Sequence, residues 1–496
     1  MKDNQREPVG AAACLLAVAV LASCGGGPSS ETPSGAPPEE EICAASLDWL
    51  PDPPAPELYK PLPHPASECP FYRAGWQNFL IATQPDATGA PALRSYPTVS
   101  DVFVSARPRP QQRSWLGDIK QAGGRQILID QNGRPIYYGI HVNQAYVDFI
   151  RANHLETAPA IKAASPSLFF PAGVVELKSA WQEVAEGEAD SPASGYITAR
   201  VSVPHLRQEG GHIVEDRANP REVTARLLAL HVVFTLPGHP EFVWATFEHS
   251  SGAPDTRAAD GKRDVAPAGV RNPLFTDPNN QNDAAVVSLA PHRLFRAGTA
   301  ANLANLAIAE PELALDEATQ SFPGRQTSIY RMFPASKANT IDPDDAISSL
   351  NHNVEALFAR AASAGTLARG DQRGNYRLVG ALWMDKPEHL RNDSPIQNDE
   401  TSPFANRPGF IEDLQANGSD SDLSLLAGED RLSSTAMESF TQAPDSFPNC
   451  FSCHNTQAVT AKGVPLDRDR SGVKLLEPKL INVSHVLSQF LLEEGP

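Results

Sequence analysis

The stretch "NCFSCHN" places Cys450 and Cys453 three positions apart and follows them directly with His454. In a helical turn these three side chains project to one side. Two thiols and an imidazole in this arrangement can attach a haem edge and bind its iron, can form half of a zinc site, or can act as a redox dithiol. The rest of the chain has to distinguish these three chemistries.

The surrounding sequence favours the haem interpretation. A structural zinc site needs two further ligands at short spacing, and only the isolated His485 follows the motif. A thioredoxin-like dithiol needs a βαβ context, which the sequence does not indicate. We therefore predict one covalent haem c, with thioether bonds to Cys450 and Cys453 and with His454 as an iron ligand. A simple disulfide between the two cysteines is the alternative.

The second axial ligand of the iron is predicted from helical periodicity. The chain has 4 methionines, and none follows the C-x-x-C-H motif. In "LSSTAMESFTQ", Met437 lies on the inward face of a predicted helix, whereas in "NVSHVLSQFLL" His485 lies on the polar side of the apolar stripe. The pattern favours Met437 as the distal ligand, with His485 as runner-up and a vacant position as the third possibility. Met384 and Met332 are more remote in sequence.

The N-terminal sequence is typical of an export signal. The apolar run "AAACLLAVAVLA" is too short to span a bilayer and ends in "LASC" at Cys24, which looks like the lipobox of a bacterial lipoprotein. This predicts a signal peptide over 1–23, lipidation of Cys24, and a proline-rich tether and arm over 24–69. In lipoproteins of this type Gly25 implies the outer membrane, so we expect a cell-envelope protein facing the periplasm. An ordinary secretory leader is the alternative.

Composition limits the partners and the redox state. The 496 residues carry a formal charge of −18, which argues against nucleic acid and favours partners with a basic surface. Because export leads to an oxidising compartment, we predict a disulfide between Cys43 and Cys69, with two free thiols as the alternative.

Four runs alternate strictly between apolar and polar residues: "VVELKSAW", "YITARVSV", "LHVVFTL" and "EFVWATFEH". They predict an antiparallel sheet with one buried face. The other face gathers Glu176, Lys178, Arg200, His231, Trp244 and Glu248. We expect it to be solvated and laced with ion pairs, and a ligand cleft is the alternative. The alternation separates His231 from His249, so no metal cluster of His231, His239 and His249 is expected.

The fold class is therefore α+β, an antiparallel β-sheet body with flanking helices and a helical C-terminal c-type haem segment. The body is assigned to 70–335 and the cytochrome c-like haem-binding region to 336–496. Only 42 residues (496 minus 454) follow His454, which is short for a complete cytochrome c domain. The haem pocket is thus expected to use residues upstream of the motif.

Several segments together resemble a family of little-characterised bacterial mono-haem cytochrome-c-like proteins: "VELKSAWQEV", "LHVVFTLPGHPEFVWATFEH", "NPLF", "YRLVGALW", "LSSTAMESFTQ" and "NCFSCHN". The resemblance runs from about Trp76 to the C-terminus, and its haem motif falls on Cys450, Cys453 and His454. It implies haem binding and electron transfer but names no substrate. We expect a membrane-tethered electron carrier with a redox partner protein. The alternatives are a haem-dependent oxidoreductase whose large body binds a substrate, and a haem-containing binding or sensing protein.

Overall fold

An antiparallel sheet of seven strands carries most of the described chain. The computed structural model describes residues 43–51, 68–104, 114–120, 127–130, 132–184, 195–250, 295–297, 313–323, 326–328, 346–368, 370–384, 426–428, 434, 436–439, 450, 454 and 479–494. The described strands are β1 (Leu128–Ile129), β2 (Ile136–Val142), β3 (Val175–Glu183), β4 (Thr198–Glu209), β5 (His212–Leu236), β6 (His239–His249), β7 (Phe295–Ala297), β8 (Gln326–Ser328), β9 (Tyr376–Met384) and β10 (Leu426–Gly428).

The main sheet has the order β10-β9-β6-β5-β3-β2, and β4 pairs with the first half of β5. β5 is 25 residues long, so its second half can pair with β6 while β3 lies along its other edge. The runs predicted from alternation are present as β3 to β6, and the α+β class with an antiparallel sheet is confirmed. β1, β7 and β8 form a separate sheet of three strands.

The described α-helices are α1 (Cys69–Ala82), α2 (Val99–Val102), α3 (Gln144–Ala152), α4 (Ala158–Ala163), α5 (Ala346–Ala364) and α6 (His485–Glu494). Short 3₁₀ helices cover Leu47–Trp49, Ala92–Ser95, Arg373–Asn375 and Leu480–Val483. Polar side chains cap the first turns of two of these helices. Asn143 accepts a hydrogen bond from the Tyr146 backbone at the start of α3, and Thr157 does the same for Ala160 at the start of α4. None of the described helices is both long and apolar enough to cross a bilayer.

One face of the main sheet, which we call the apolar face, packs against α1 and α5. The rings of Trp76 and Phe79 on α1 contact Phe247 of β6 at centroid distances of 5.0 and 4.4 Å. Gly75 permits this approach, because a Cβ there would lie 3.2 Å from the Cβ of Ala245. The apolar residues of β3, β5 and β6 that alternation predicted to be buried lie in this core.

Two further contacts fasten the arm and the loops to the body. A disulfide joins Cys43 to Cys69, as the sequence predicted. It closes a loop with a sequence separation of 26, which corresponds to about 3 kcal/mol in the chain-entropy estimate. The Arg373 guanidinium is 1% exposed, pairs with Asp371 at 2.7 Å and donates to the carbonyls of Leu80 and Pro51.

Residues 42–496 form one compact unit. β9 comes from the region assigned to 336–496, yet it pairs with β6 inside the main sheet. The assignment of 70–335 to the body and of 336–496 to a haem-binding region stays a prediction. Several predicted features lie outside the described residues: the signal peptide, Cys24, most of the proline-rich arm, Met332 and Cys453.

Candidate functional site

The candidate site lies on the second face of the main sheet, which we call the polar face. Strand pairing arranges its side chains in rows. In one row Lys178 is opposite His231, which is opposite Thr246. In the next row Glu176 and Trp244 lie on either side of Val233. The face also carries Tyr138 of β2 and Glu248 of β6.

The expectation of a solvated polar face is wrong. Glu176, Lys178 and Trp244 are at most 5% exposed, and Thr246 and Glu248 are 1% exposed. The reason is that α3, the 480–483 turn and α6 cover this face, and the last two come from about 300 residues further along the chain. Arg200, which was predicted to belong to the same face, is exposed on β4.

Three aromatic rings meet on the polar face, and we call them the histidine stack. His454 packs against Trp244 with a centroid distance of 4.5 Å and an interplanar angle of 20°. It also packs against His485 at 4.4 Å and 27°. The structure therefore brings the histidine of the C-x-x-C-H motif next to the runner-up for the distal ligand.

A backbone hydrogen bond joins the two described residues of the motif, Cys450 and His454. The His454 amide donates to the Cys450 carbonyl at 2.8 Å, which is the hydrogen-bond spacing of an α-helix. Cys450 is half-buried and packs against the apolar cluster that contains Trp244 and the inner face of α6. This spacing is the one expected if Cys450 and His454 project to one side, and Cys453 lies outside the described residues.

Both imidazoles of the histidine stack are held neutral. Burial, followed by the positive charges of Lys178 and His231, lowers the pKa of His454 to about 3. Burial and the neighbouring His454 lower the pKa of His485 well below its usual value. Among the described residues, Nδ1 of His454 has no hydrogen-bond partner. A neutral imidazole is the form that binds a metal ion.

The start of α6 fixes the position of His485. The Ser484 hydroxyl donates to the Glu176 carboxylate, and the other Glu176 oxygen accepts from the His485 amide at 3.0 Å. Ser484 also accepts from the Leu487 amide at 3.1 Å, as an N-cap does, and shares a hydrogen bond with Tyr146. Burial raises the pKa of Glu176 to about 8.

Met437, the favoured distal ligand, lies in a different cluster. It is fully buried among Leu128, Ile136, Tyr138, Ala180, Tyr196, Leu228, Ala229 and Ala436. The expected helix around it is not seen in the described residues, since 436–439 form a turn in which the Glu438 amide bonds the Ser434 carbonyl. Met384 belongs to the cluster that contains Trp244.

A charged group adjoins the histidine stack. His231 bonds Glu438 at 2.7 Å through Nε2 and Thr246 at 2.8 Å through Nδ1. Burial by itself raises the pKa of Glu438, but His231 and then Lys178 outweigh it, so that pKa is lowered. Sequence reasoning placed His231 and Lys178 on this face, but it missed Glu438.

Two further described histidines, His239 and His249, have hydrogen-bond partners of their own. His239 pairs with Glu241 at 2.8 Å, and His249 bonds the Gly195 carbonyl at 2.9 Å. The part of the chain that the structure describes contains no group of three or more His, Cys, Asp or Glu side chains suited to hold a metal ion.

No family model, curated protein or solved structure matches this chain. The fold and the site therefore have to be interpreted from their own geometry.

Proposed function

We propose that this chain is a membrane-anchored, extracytoplasmic protein that transfers electrons through one covalently attached haem c. The observation that carries the proposal is the position of His454, the histidine of the C-x-x-C-H motif. His454 lies against Trp244 and His485 on the polar face. A motif of this kind in an exported chain is typical of c-type haem attachment.

The residues at the site fit such a group. Cys450 and Cys453 would form the thioether bonds, and His454 would bind the iron from one side. The imidazole of His454 is neutral and has one unpartnered ring nitrogen among the described residues. Apolar residues next to Trp244 limit the access of water. A haem held there supplies a one-electron couple.

For the second axial ligand, the geometry favours His485 over Met437. His485 lies 4.4 Å from His454 between ring centroids, whereas Met437 packs in a separate apolar cluster. The two imidazoles are stacked face to face, so binding of both to one iron requires that they move apart. Such a movement would have to rearrange the hydrogen bonds that Glu176 and Ser484 make at the start of α6.

A haem-dependent oxidoreductase is the second candidate function. It is favoured by the ionisable groups beside the histidine stack, of which Glu176 and Lys178 are buried and His231 and Glu438 are half-buried. A simple carrier needs few such groups, whereas perturbed ionisable groups in one place are typical of catalytic sites.

The central test is covalent haem in the denatured protein. Cys450→Ala combined with Cys453→Ala should abolish haem staining, because no thioether bond can form. The matched control is Cys43→Ala with Cys69→Ala, which removes the disulfide pair and should leave staining unchanged. Staining that persists without Cys450 and Cys453 would overturn the proposal.

The ferric absorption spectrum tests the second ligand and separates the two functions. His485→Ala should convert the iron from low to high spin, and Met437→Ala should not. If only Met437→Ala does so, the assignment of His485 is wrong. A wild-type protein that is already high spin would favour the oxidoreductase, since an open iron position admits a substrate.

The anchor and the partner complete the proposal. Lipidation of Cys24 would tether the protein to the membrane. The variant Cys24→Ala tests this anchor, because it should move the protein to the soluble fraction. The net charge of −18 favours a redox partner with a basic surface, so electron exchange should slow as salt is added. Unchanged fractionation of Cys24→Ala would place the anchor elsewhere.

A further inference from the structure

Lys178 occupies the centre of the polar face. Its neighbours across the sheet are Ile140 on β2 and His231 on β5. Two positions along the same strand face lies Glu176, which bonds the first residues of α6. The side chain of Lys178 is 5% exposed, so its ammonium group is held away from bulk water.

Strand register places this ammonium group near the histidine stack. Trp244, on which His454 packs, is diagonal to His231 across β5 and β6. The ammonium nitrogen of Lys178 lies 6.0 Å from the centroid of the Tyr138 ring on the same face. The side chain of Lys178 therefore lies on the sheet face against which the two imidazoles of the proposed site are packed.

The carboxylate of Glu438 lies in the same region and carries a charge opposite to that of a lysine ammonium group. Glu438 bonds His231 at 2.7 Å, and His231 lies opposite Lys178 in the sheet. Among the described residues of the sheet, this face also carries Glu176 and, one row further along, Glu248 with Arg377 opposite it. Lys178 and Glu438 thus form an oppositely charged couple beside the site.

We propose that Lys178 and Glu438 set the reduction potential of the bound haem, Lys178 by raising it and Glu438 by lowering it. The inference rests on the proposed function. Ferric iron carries one positive charge more than ferrous iron, so a nearby cation favours the ferrous state and a nearby anion favours the ferric state. Both act as positioned charges, and neither is proposed as an iron ligand.

The test is a spectroelectrochemical titration of the full-length protein with its haem. Lys178→Met, which keeps the length of the side chain, should lower the reduced-to-oxidised ratio at fixed potential by roughly tenfold, which equals 59 mV for one electron. Glu438→Gln should shift the ratio in the opposite direction. The control is Lys162→Met, an exposed lysine on α4 that should leave the potential unchanged.

Shifts of the reduction potential in opposite directions for Lys178→Met and Glu438→Gln distinguish an electrostatic role from a structural one. Shifts in the same direction, or a Lys178→Met shift no larger than that of Lys162→Met, would overturn the inference. If Lys178→Met does not accumulate, Lys178→Arg should keep the wild-type potential, and an unmoved potential in Glu438→Gln would still contradict the inference. A wild-type protein without covalent haem would instead remove the proposed function itself.

Discussion

The apolar face of the main sheet is covered by helices that come early and late in the chain, α1 and α5, with side chains that interdigitate. The polar face is covered as well, but α6, the 436–439 turn and His454 add hydrogen bonds, an ion pair and stacked rings to the apolar packing there. Both faces exclude water. On the apolar face hydrocarbon contacts replace it, whereas on the polar face hydrogen bonds and ionisable groups take part as well.

This difference indicates what each face is for. Apolar burial stabilises a fold without requiring particular partners. Buried polar groups lower stability unless each one finds a partner, so they are costly to keep. The concentration of Glu176, Lys178, His231 and Glu438 under the C-terminal segment is therefore better explained by a site than by stability alone.

The largest expected effect comes from a pair of tryptophans on opposite faces. Trp76→Ala should lower the free energy of unfolding by about 3–5 kcal/mol, because it empties a fully buried position and leaves Asn351 without its 3.1 Å hydrogen bond. It should leave the spectrum of the proposed haem unchanged. Trp244→Ala should also destabilise the protein, but it removes the ring that supports His454 and should alter the spectrum.

Denaturant unfolding and the ferric spectrum of the folded variants check this pair. If Trp76→Ala changes the spectrum as much as Trp244→Ala does, the two faces do not have separate roles.

Much of the sheet could be predicted from the sequence, because a period of two residues depends only on the strand itself. The cover of the polar face could not be predicted in this way. Alternation shows that Lys178 and Glu176 point away from the apolar core, but it does not show whether a segment about 300 residues later lies over them.

The choice between Met437 and His485 could not be made from the sequence for a related reason. Helical periodicity places His485 on the polar side of α6, which is correct for an isolated helix. In the folded chain the His485 amide bonds Glu176 and its ring lies 6.5 Å from that of Trp244, so this side of α6 faces the sheet and His485 is half-buried. The turn at 436–439 depends on another distant contact, between Tyr138 and Ala436.

A second prediction concerns His141, an ionisable side chain on the apolar face. It is fully buried against Trp115 at 4.4 Å, and burial, followed by the charge of Arg94, lowers its pKa to about 3. An unfolded histidine titrates near 6.5, so the unfolded state binds the proton first as the pH falls. Stability should therefore be lost between about pH 6.5 and 3, by up to about 1.4 kcal/mol per pH unit.

The measurement is the difference in unfolding free energy between wild type and His141→Gln across that range. The variant lacks the titrating group, so its stability should fall less steeply with acid. His352→Gln, a change at an exposed histidine on α5, is the matched control. Parallel profiles for wild type and His141→Gln would show that His141 does not have the predicted environment.

The smallest expected effect comes from two adjacent tyrosines that point to opposite faces. Tyr138 donates from its hydroxyl to the Ala436 carbonyl at 2.6 Å on the polar face, whereas the Tyr137 hydroxyl accepts from Arg221 at 2.8 Å on the other side. Each change to phenylalanine removes one hydrogen bond and should cost about 1 kcal/mol. The two variants should therefore lose similar free energies of unfolding. They differ in which part of the structure is loosened.

Amide hydrogen exchange measures that location. Tyr138→Phe should speed exchange at 436–439, because this turn loses its bond to β2, and Tyr137→Phe should leave those amides as they are. Since Glu438 belongs to the same turn and bonds His231, Tyr138→Phe should also loosen the charged group beside the histidine stack. Equal exchange at 436–439 in both variants would mean that the turn is held by its other contacts, and that the C-terminal segment does not depend on Tyr138 for its position on the sheet.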